Sequence, residues 1–167
     1  AWRQANPKIV QFWWAVDRAV MDAVKNKTTM KTHGIIFSAR NGMLFITLPS
    51  GRSLAYVKPK IGTNKFGGDC ITYEGVGGTK KWERIDSYGP KFVENIVQAT
   101  SRDILCYAMQ TLHCCSIVMH IHDEVVIEAD CRMSLQAVCD QMGQTPAWAG
   151  GLLLRADGYV CDFYQKD

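Results

Sequence analysis

The residues whose types and spacing could do chemistry lie in Ser116-Ile-Val-Met-His-Ile-His-Asp-Glu-Val-Val-Ile-Glu128. Two short apolar runs flank His122 and Asp123, and Glu124 begins the second run, so the stretch predicts a hairpin with a carboxylate at its tip. Adjacent acids repel each other, and between β-branched runs they also lose hydration, so Asp123 beside Glu124 is unfavourable without a counter-charge. A divalent cation would supply one. An ordinary hairpin with a polar turn fits the local pattern equally, because Asp is a common turn residue.

A helix is predicted just before this hairpin. Pro90 opens it, and Val93, Val97, Thr100, Ile104, Ala108 and Leu112 recur at the helical period as its buried stripe. Another face carries Asn95, Gln98, Arg102 and Gln110. Gln98 and Arg102 are four apart and project from the same side; by pattern alone this is a solvated face. After the hairpin the sequence predicts a helix from about Arg132 to Gly143, with Leu135, Val138, Cys139 and Met142 inward. Pro146-Ala-Trp148 then turns the chain into two strands, residues 152–156 and 159–164.

Upstream, Asn6 as cap and Pro7 at the first position start an amphipathic helix of about five turns, with Ile9, Trp13, Val16, Val20 and Val24 on its apolar face. Trp13 and Trp14 are read as packing groups rather than base-stacking ones. Residues 35–38, 43–48 and 54–57 alternate as strands of a meander, with Asn41-Gly42 and Ser50-Gly51 as turns. Residues 58–81 hold five lysines among glycines and predict a mobile basic loop around one short strand, 71–73. Gly77-Gly78-Thr79-Lys80 lacks the spacing of a phosphate-binding P-loop. The pattern adds up to an α+β fold, in which helices pack on one face of a mostly antiparallel sheet, with a β-hairpin and loop insertion.

With 167 residues, 47% of them hydrophobic, the chain can bury one core, and a single domain is expected. It has no apolar run of about 18 residues and no signal-peptide pattern, so no membrane partner and a cytoplasmic location are expected. Seven cysteines, an odd number scattered through apolar stretches at Cys106, Cys114, Cys115 and Cys139, fit reduced core thiols. His113, Cys114, Cys115, His120 and His122 lack the paired spacing of a zinc site. Charge is uneven: residues 1–91 carry 15 Lys or Arg against 6 Asp or Glu, whereas residues 92–167 carry 4 against 10. A basic part beside an acidic part suits a protein that holds a polyanion with one and a cation with the other; an uneven solvated surface is the plainer account.

The phrase His122-Asp123-Glu124-Val125-Val126 resembles the third motif of family A DNA polymerases, the His-Asp-Glu turn of the palm. Residues 93–105 resemble that family's palm helix, and residues 148–159 its closing strand. The three lie in the family's order over about the last half of the chain, nearest to the phage or prophage type, with Pro90 and Leu153 where Gly and Pro are usual. The resemblance implies a C-terminal portion of a longer polymerase: residues 1–30 a long N-terminal helix, 31–85 a basic β-rich insertion, 86–167 the palm core.

It also implies roles. Asp123 would be a magnesium ligand in a two-metal site, Glu124 its weaker support, and His122 a contact to the primer end. Gln98 would reach the minor groove of the primer–template duplex, Arg102 and Asn95 would lie on the same polar face, and Arg52, in a Gly-Arg hairpin, would contact phosphate. Glu94 stands where that family usually has a neutral amide. The second catalytic aspartate, in an Asp-(Tyr or Phe)-Ser motif, and the Arg, Lys and Tyr-Gly pattern that grips deoxynucleoside triphosphates are both missing from the sequence. The chain alone is therefore expected to be inactive. Its partners would be primer–template DNA, deoxynucleoside triphosphates and the remainder of the polymerase. Two other readings stay open. One is a metal-dependent nuclease or phosphohydrolase built on His120, His122, Asp123 and Glu124; the other is a noncatalytic nucleic-acid-binding module using residues 58–81 with Gln98 and Arg102.

Overall fold

The computed structural model describes residues 1–164. They form two compact units, one of residues 1–98 and one beginning at residue 99. The first is a six-stranded antiparallel meander with helices packed against it, as the α+β pattern predicts. A short helix α1 (Trp2–Ala5) leads into α2 (Pro7–Asn26), and then come β1 (Thr29–Thr32), β2 (Ile35–Arg40), β3 (Met43–Thr47), β4 (Ser53–Thr63), β5 (Asp69–Val76) and β6 (Trp82–Ser87) in spatial as well as chain order.

The helix α2 starts where Asn6-Pro7 predicts, but the Asn6 amide donates to the Trp2 carbonyl at 3.0 Å rather than capping α2 through its side chain. Of the expected stripe, Val16 and Val20 are fully buried, joined by Ala19 and Ala23, whereas Ile9 is exposed. Trp13 stacks on Trp2 with ring centroids 5.7 Å apart, and Trp14 is exposed. The β1–β2 and β2–β3 turns, His33-Gly34 and Asn41-Gly42, place both central residues at positive φ, the conformation whose twist matches the flanking strands.

The short strand expected at 71–73 lies within β5, but the mobile loop expected around it over residues 58–81 is instead the end of β4, the rest of β5 and the turns beside them. Two features turn this glycine-rich stretch into strands. A bulge between Val57 and Lys60, with Lys58 at φ +48°, accommodates Pro59, which cannot donate to the ladder. In the β4–β5 turn the Asn64 side chain accepts from the backbone of Phe66 and Gly68 at 2.8 and 3.1 Å, organising the reversal locally.

The core of this unit lies between the sheet and the helices. Phe37, Leu44 and Ile46 from the strands and Phe92 from α3 (Gly89–Thr111) are all fully buried. Each such side chain contributes about 1.5–3 kcal/mol by leaving water. Tyr56 joins the layers: its ring meets Tyr73 and Phe92 edge-on, with centroids at 4.9 and 5.3 Å. The start of α3 approaches α2 closely, because the Gly89 amide donates to Asp17 Oδ1 at 2.7 Å and a Cβ at Gly89 would lie 2.5 Å from the Trp13 carbonyl oxygen.

Burial along α3 differs from the continuous stripe expected. Phe92, Val93 and Ile96 are buried among residues 1–98, and Leu105, Ala108 and Leu112 among those from 99 onward, while Val97 is exposed. The buried positions fall in two groups, one on each side of residue 98, rather than along one continuous stripe.

The second unit contains the C-terminal half of α3, the predicted hairpin β7 (Ser116–Ile121) and β8 (Glu124–Glu128), α4 (Leu135–Met142) and a 3-10 turn at Ala147–Ala149. Helix α4 begins at Leu135, three residues later than expected, after the N-cap Ser134, whose hydroxyl accepts from the Ala137 amide; Leu135 is exposed and no residue of α4 is fully buried. The strands expected at 152–156 and 159–164 are not formed: the sheet here has two strands among the described residues. A strand persists only where a neighbour takes its backbone hydrogen bonds, and apolar composition alone provides none. The cysteines are all free, but only Cys70 is buried; Cys114, Cys131 and Cys161 are exposed, so most are not core thiols. No helix among the described residues is long and apolar enough to cross a membrane.

Candidate functional site

The hairpin's runs of Ile, Val and Met suit a pleated strand, and its register pairs Ser116 with Glu128 at the open end and Ile121 with Glu124 beside the turn. A bulge between Ile117 and Met119 leaves Val118 outside the pairing and 57% exposed. The loop is therefore two residues, His122 and Asp123. His122 takes φ +52°, a conformation uncommon outside glycine, and both side chains are exposed at the tip.

The two acids sit in different surroundings. Asp123 projects from the turn into solvent, whereas Glu124 opens β8, is half-buried and lies near the Tyr164 hydroxyl. Lost solvation, followed by the Glu124 charge, holds that phenol above its ordinary range. Tyr164 falls in a stretch whose sequence reads as a strand, so nothing in the pattern marks it as a neighbour of Glu124.

The preceding helix reaches the hairpin through Arg102, whose Nη2 lies 3.5 Å from His120 Nε2. A guanidinium only donates, so this contact requires Nε2 to be the acceptor and the ring proton to sit on Nδ1. Arg132 and Arg155 are tied to Asp130 and Asp157 at 3.0 and 2.7 Å. The Arg132 side chain, then its backbone amide, hold the Asp130 carboxyl down at about 2.

Gln98 is exposed on α3, one turn before Arg102. Asn95 is half-buried and donates its amide to the Tyr56 hydroxyl at 2.9 Å, a bond within the first unit that the polar-face pattern gives no hint of. Arg52 is exposed at the end of the β3–β4 turn, where its carbonyl accepts from the Leu48 amide at 2.8 Å.

Among the described residues, no group of three or more His, Cys, Asp or Glu gathers closely enough to hold a metal ion. His120 faces Arg102 and Glu124 faces Tyr164, so the dense ligand cluster needed by a self-contained phosphohydrolase is not assembled. Asp123 alone fits a more limited part. Magnesium takes one or two protein carboxylates and keeps waters or phosphates in its other positions, and a solvent-facing Asp at a hairpin tip can be one such ligand.

An antiparallel sheet backed by helices, followed by a helix beside an acid-tipped hairpin, makes this an α+β protein. Along its whole length the chain is similar to the DNA polymerase of Bacillus phage SP02, at 47% identity over 172 aligned residues, and it spans 26% of that protein. The chain thus spans about a quarter of the length of the relative it matches. No protein-family model matches the chain, and no solved structure does.

Proposed function

We propose that this chain is the palm portion of a family A DNA polymerase of phage type, acting in the cytoplasm on primer–template DNA and deoxynucleoside triphosphates, with residues 86–167 as the palm core and residues 31–85 as a basic addition to it. The observation that carries the reading is Asp123 at the tip of a two-residue hairpin, in a chain that matches a phage DNA polymerase from end to end. Asp123 supplies one carboxylate to a magnesium site completed from outside this chain. Asp123 would be the ligand this chain gives to such a metal, whose chemistry there would be activation of the primer 3′ oxygen and charge compensation for the leaving pyrophosphate.

Glu124, beside Tyr164, sets the strand that presents Asp123 and acts on the site from behind it. His122 meets the primer end from the same turn. Arg102 and Gln98 meet the duplex from α3, Gln98 in the minor groove, and Arg52 meets phosphate. Asn95 acts on the same DNA while anchored to Tyr56. Without the second aspartate and the triphosphate-gripping pattern, the chain alone adds no nucleotide.

The test is Gln98→Ala in a polymerase that contains this segment. Gln98 is exposed, so the fold should be kept while extension at limiting primer–template falls and extension at saturating DNA is largely retained. Unchanged extension at limiting DNA would remove the groove contact from this reading.

A further inference from the structure

The face of the six-stranded sheet turned away from α2 holds none of the residues placed at the hairpin or on α3, although its Lys58 and Lys60 lie in the basic stretch 58–81. Strand register identifies it. Ile35 and Phe37 point into the core, so Ile36, Ser38 and Arg40 point out, and the pairing carries that side through Phe45 and Ala55 to Lys60, Thr72, Glu74, Arg84 and Trp82.

This outward face is basic and carries rings. Its strands bear Lys31, Arg40, Lys58, Lys60 and Arg84 against Glu74 and Asp86. Glu74 organises the centre: it accepts from Lys58 Nζ at 2.8 Å, Arg84 Nη2 at 3.2 Å and Trp82 Nε1 at 3.4 Å. Arg84 also donates to the Lys58 carbonyl and to Thr72 Oγ1 at 3.2 and 3.0 Å, which fixes its fork across three strands. Trp82 is left 61% exposed with its ring edge tethered, and Arg40 lies 5.2 Å over Phe45. An exposed large ring held in place beside excess positive charge is unfavourable in water, and a partner with flat apolar faces and a negative backbone relieves both terms.

We propose that this face binds single-stranded nucleic acid, with phosphates along Arg40, Lys58, Lys60 and Arg84 and a base stacked on Trp82. The single strand fits better than a duplex because only unpaired, unstacked bases offer a π face to an exposed ring, and stacking of that kind is indifferent to sequence. From β2 to β6 the track is about 19 Å wide, four strand spacings, enough for a short run of nucleotides. The choice of a nucleic acid over another polyanion rests on the polymerase reading; the binding itself does not use Asp123.

The test is fluorescence anisotropy of the 167-residue chain with a labelled oligo-dT of about twelve nucleotides, within the range of sites built this way. Three or four phosphate contacts give a slope of log affinity against log salt of about −2 to −3, and Lys60→Ala should make it shallower by about 0.7. Trp82→Ala should weaken binding on the order of ten-fold at fixed salt. Lys8→Ala, an exposed lysine on α2 in the helix layer, should leave affinity and slope nearly unchanged. Circular dichroism checks the fold of each variant; if Trp82→Ala unfolds, Lys60→Glu at an exposed side chain decides, and unchanged affinity there overturns the proposal. Equal or tighter binding of a duplex of the same length, an equal loss from Lys8→Ala, or no binding at low salt overturns it as well. Template-dependent primer extension by the same preparation would bear on the polymerase reading alone, which expects none from this chain.

Discussion

Removing the Asp17 carboxylate should loosen the start of α3. The Gly89 amide is one of the four N–H groups at a helix N-terminus that no carbonyl of the same helix satisfies, and Asp17 Oδ1 accepts from it at 2.7 Å in a partly buried setting. A hydrogen bond to a charged group contributes about 1.5–3 kcal/mol, a range that already contains the attraction of a carboxylate to the helix N-terminus. Asp17→Ala leaves that N–H buried without its partner and should cost about 1.5–3 kcal/mol, or roughly 4–10 °C in Tm for a chain of this size. Asp17→Asn keeps an acceptor of the same shape and should cost only about 0.5–1 kcal/mol.

Urea unfolding followed by tryptophan emission suits the measurement, since four of the five tryptophans, Trp2, Trp13, Trp14 and Trp82, lie in residues 1–98 and weight the signal toward the unit that holds the contact. The Gly89 amide should also exchange faster in Asp17→Ala. A change below about 0.5 kcal/mol for the alanine variant refutes the reasoning, because that is the scale of a neutral surface substitution. Equal losses for Asn and Ala would assign the effect to charge rather than to the bond.

Two further outcomes follow from the same kind of contact. Tyr56→Phe removes the acceptor of the Asn95 amide while keeping both ring contacts, and should lower stability by about 1 kcal/mol in urea unfolding; no loss in a double-mutant cycle with Asn95→Ala would show that the 2.9 Å bond contributes nothing. Asp130, held at about 2 when folded against about 3.9 for an unfolded chain, keeps its pairing above the unfolded value and loses it as pH falls through the folded one; a carboxyl carbon titration should show the low midpoint, and Arg132→Gln should return it to near 4.

The sequence made the hairpin and its turn legible because two apolar, β-branched runs flank the polar pair His122-Asp123, although the bulge between Ile117 and Met119 left no such mark. The helices were legible too, from Pro7, Pro90 and the period of their apolar residues. The end of β4 and the rest of β5 beyond residues 71–73 were not: glycines and lysines read as loop, while the pairing that makes them strands depends on partners up to 17 residues away, as Val57 to Glu74 shows. The reverse error occurred at residues 152–164, where apolar runs had no neighbouring strand to pair with. At the candidate site the residues at the tip could be named from their types, but their company could not. Tyr164 on Glu124, Arg102 on His120 and Tyr56 on Asn95 are each tertiary and leave no local pattern.

The central claim is that Asp123 carries charge for catalysis and is more than a turn former. Single-nucleotide incorporation at saturating magnesium, in a polymerase containing this segment, tests it with Asp123→Asn and Glu124→Gln side by side. Asn serves turns about as readily as Asp, so the hairpin is kept while the charge is lost. The account predicts that Asp123→Asn abolishes incorporation almost entirely while DNA affinity holds or rises, and that Glu124→Gln costs less, because it acts from behind the site. Near-normal incorporation by Asp123→Asn would contradict it.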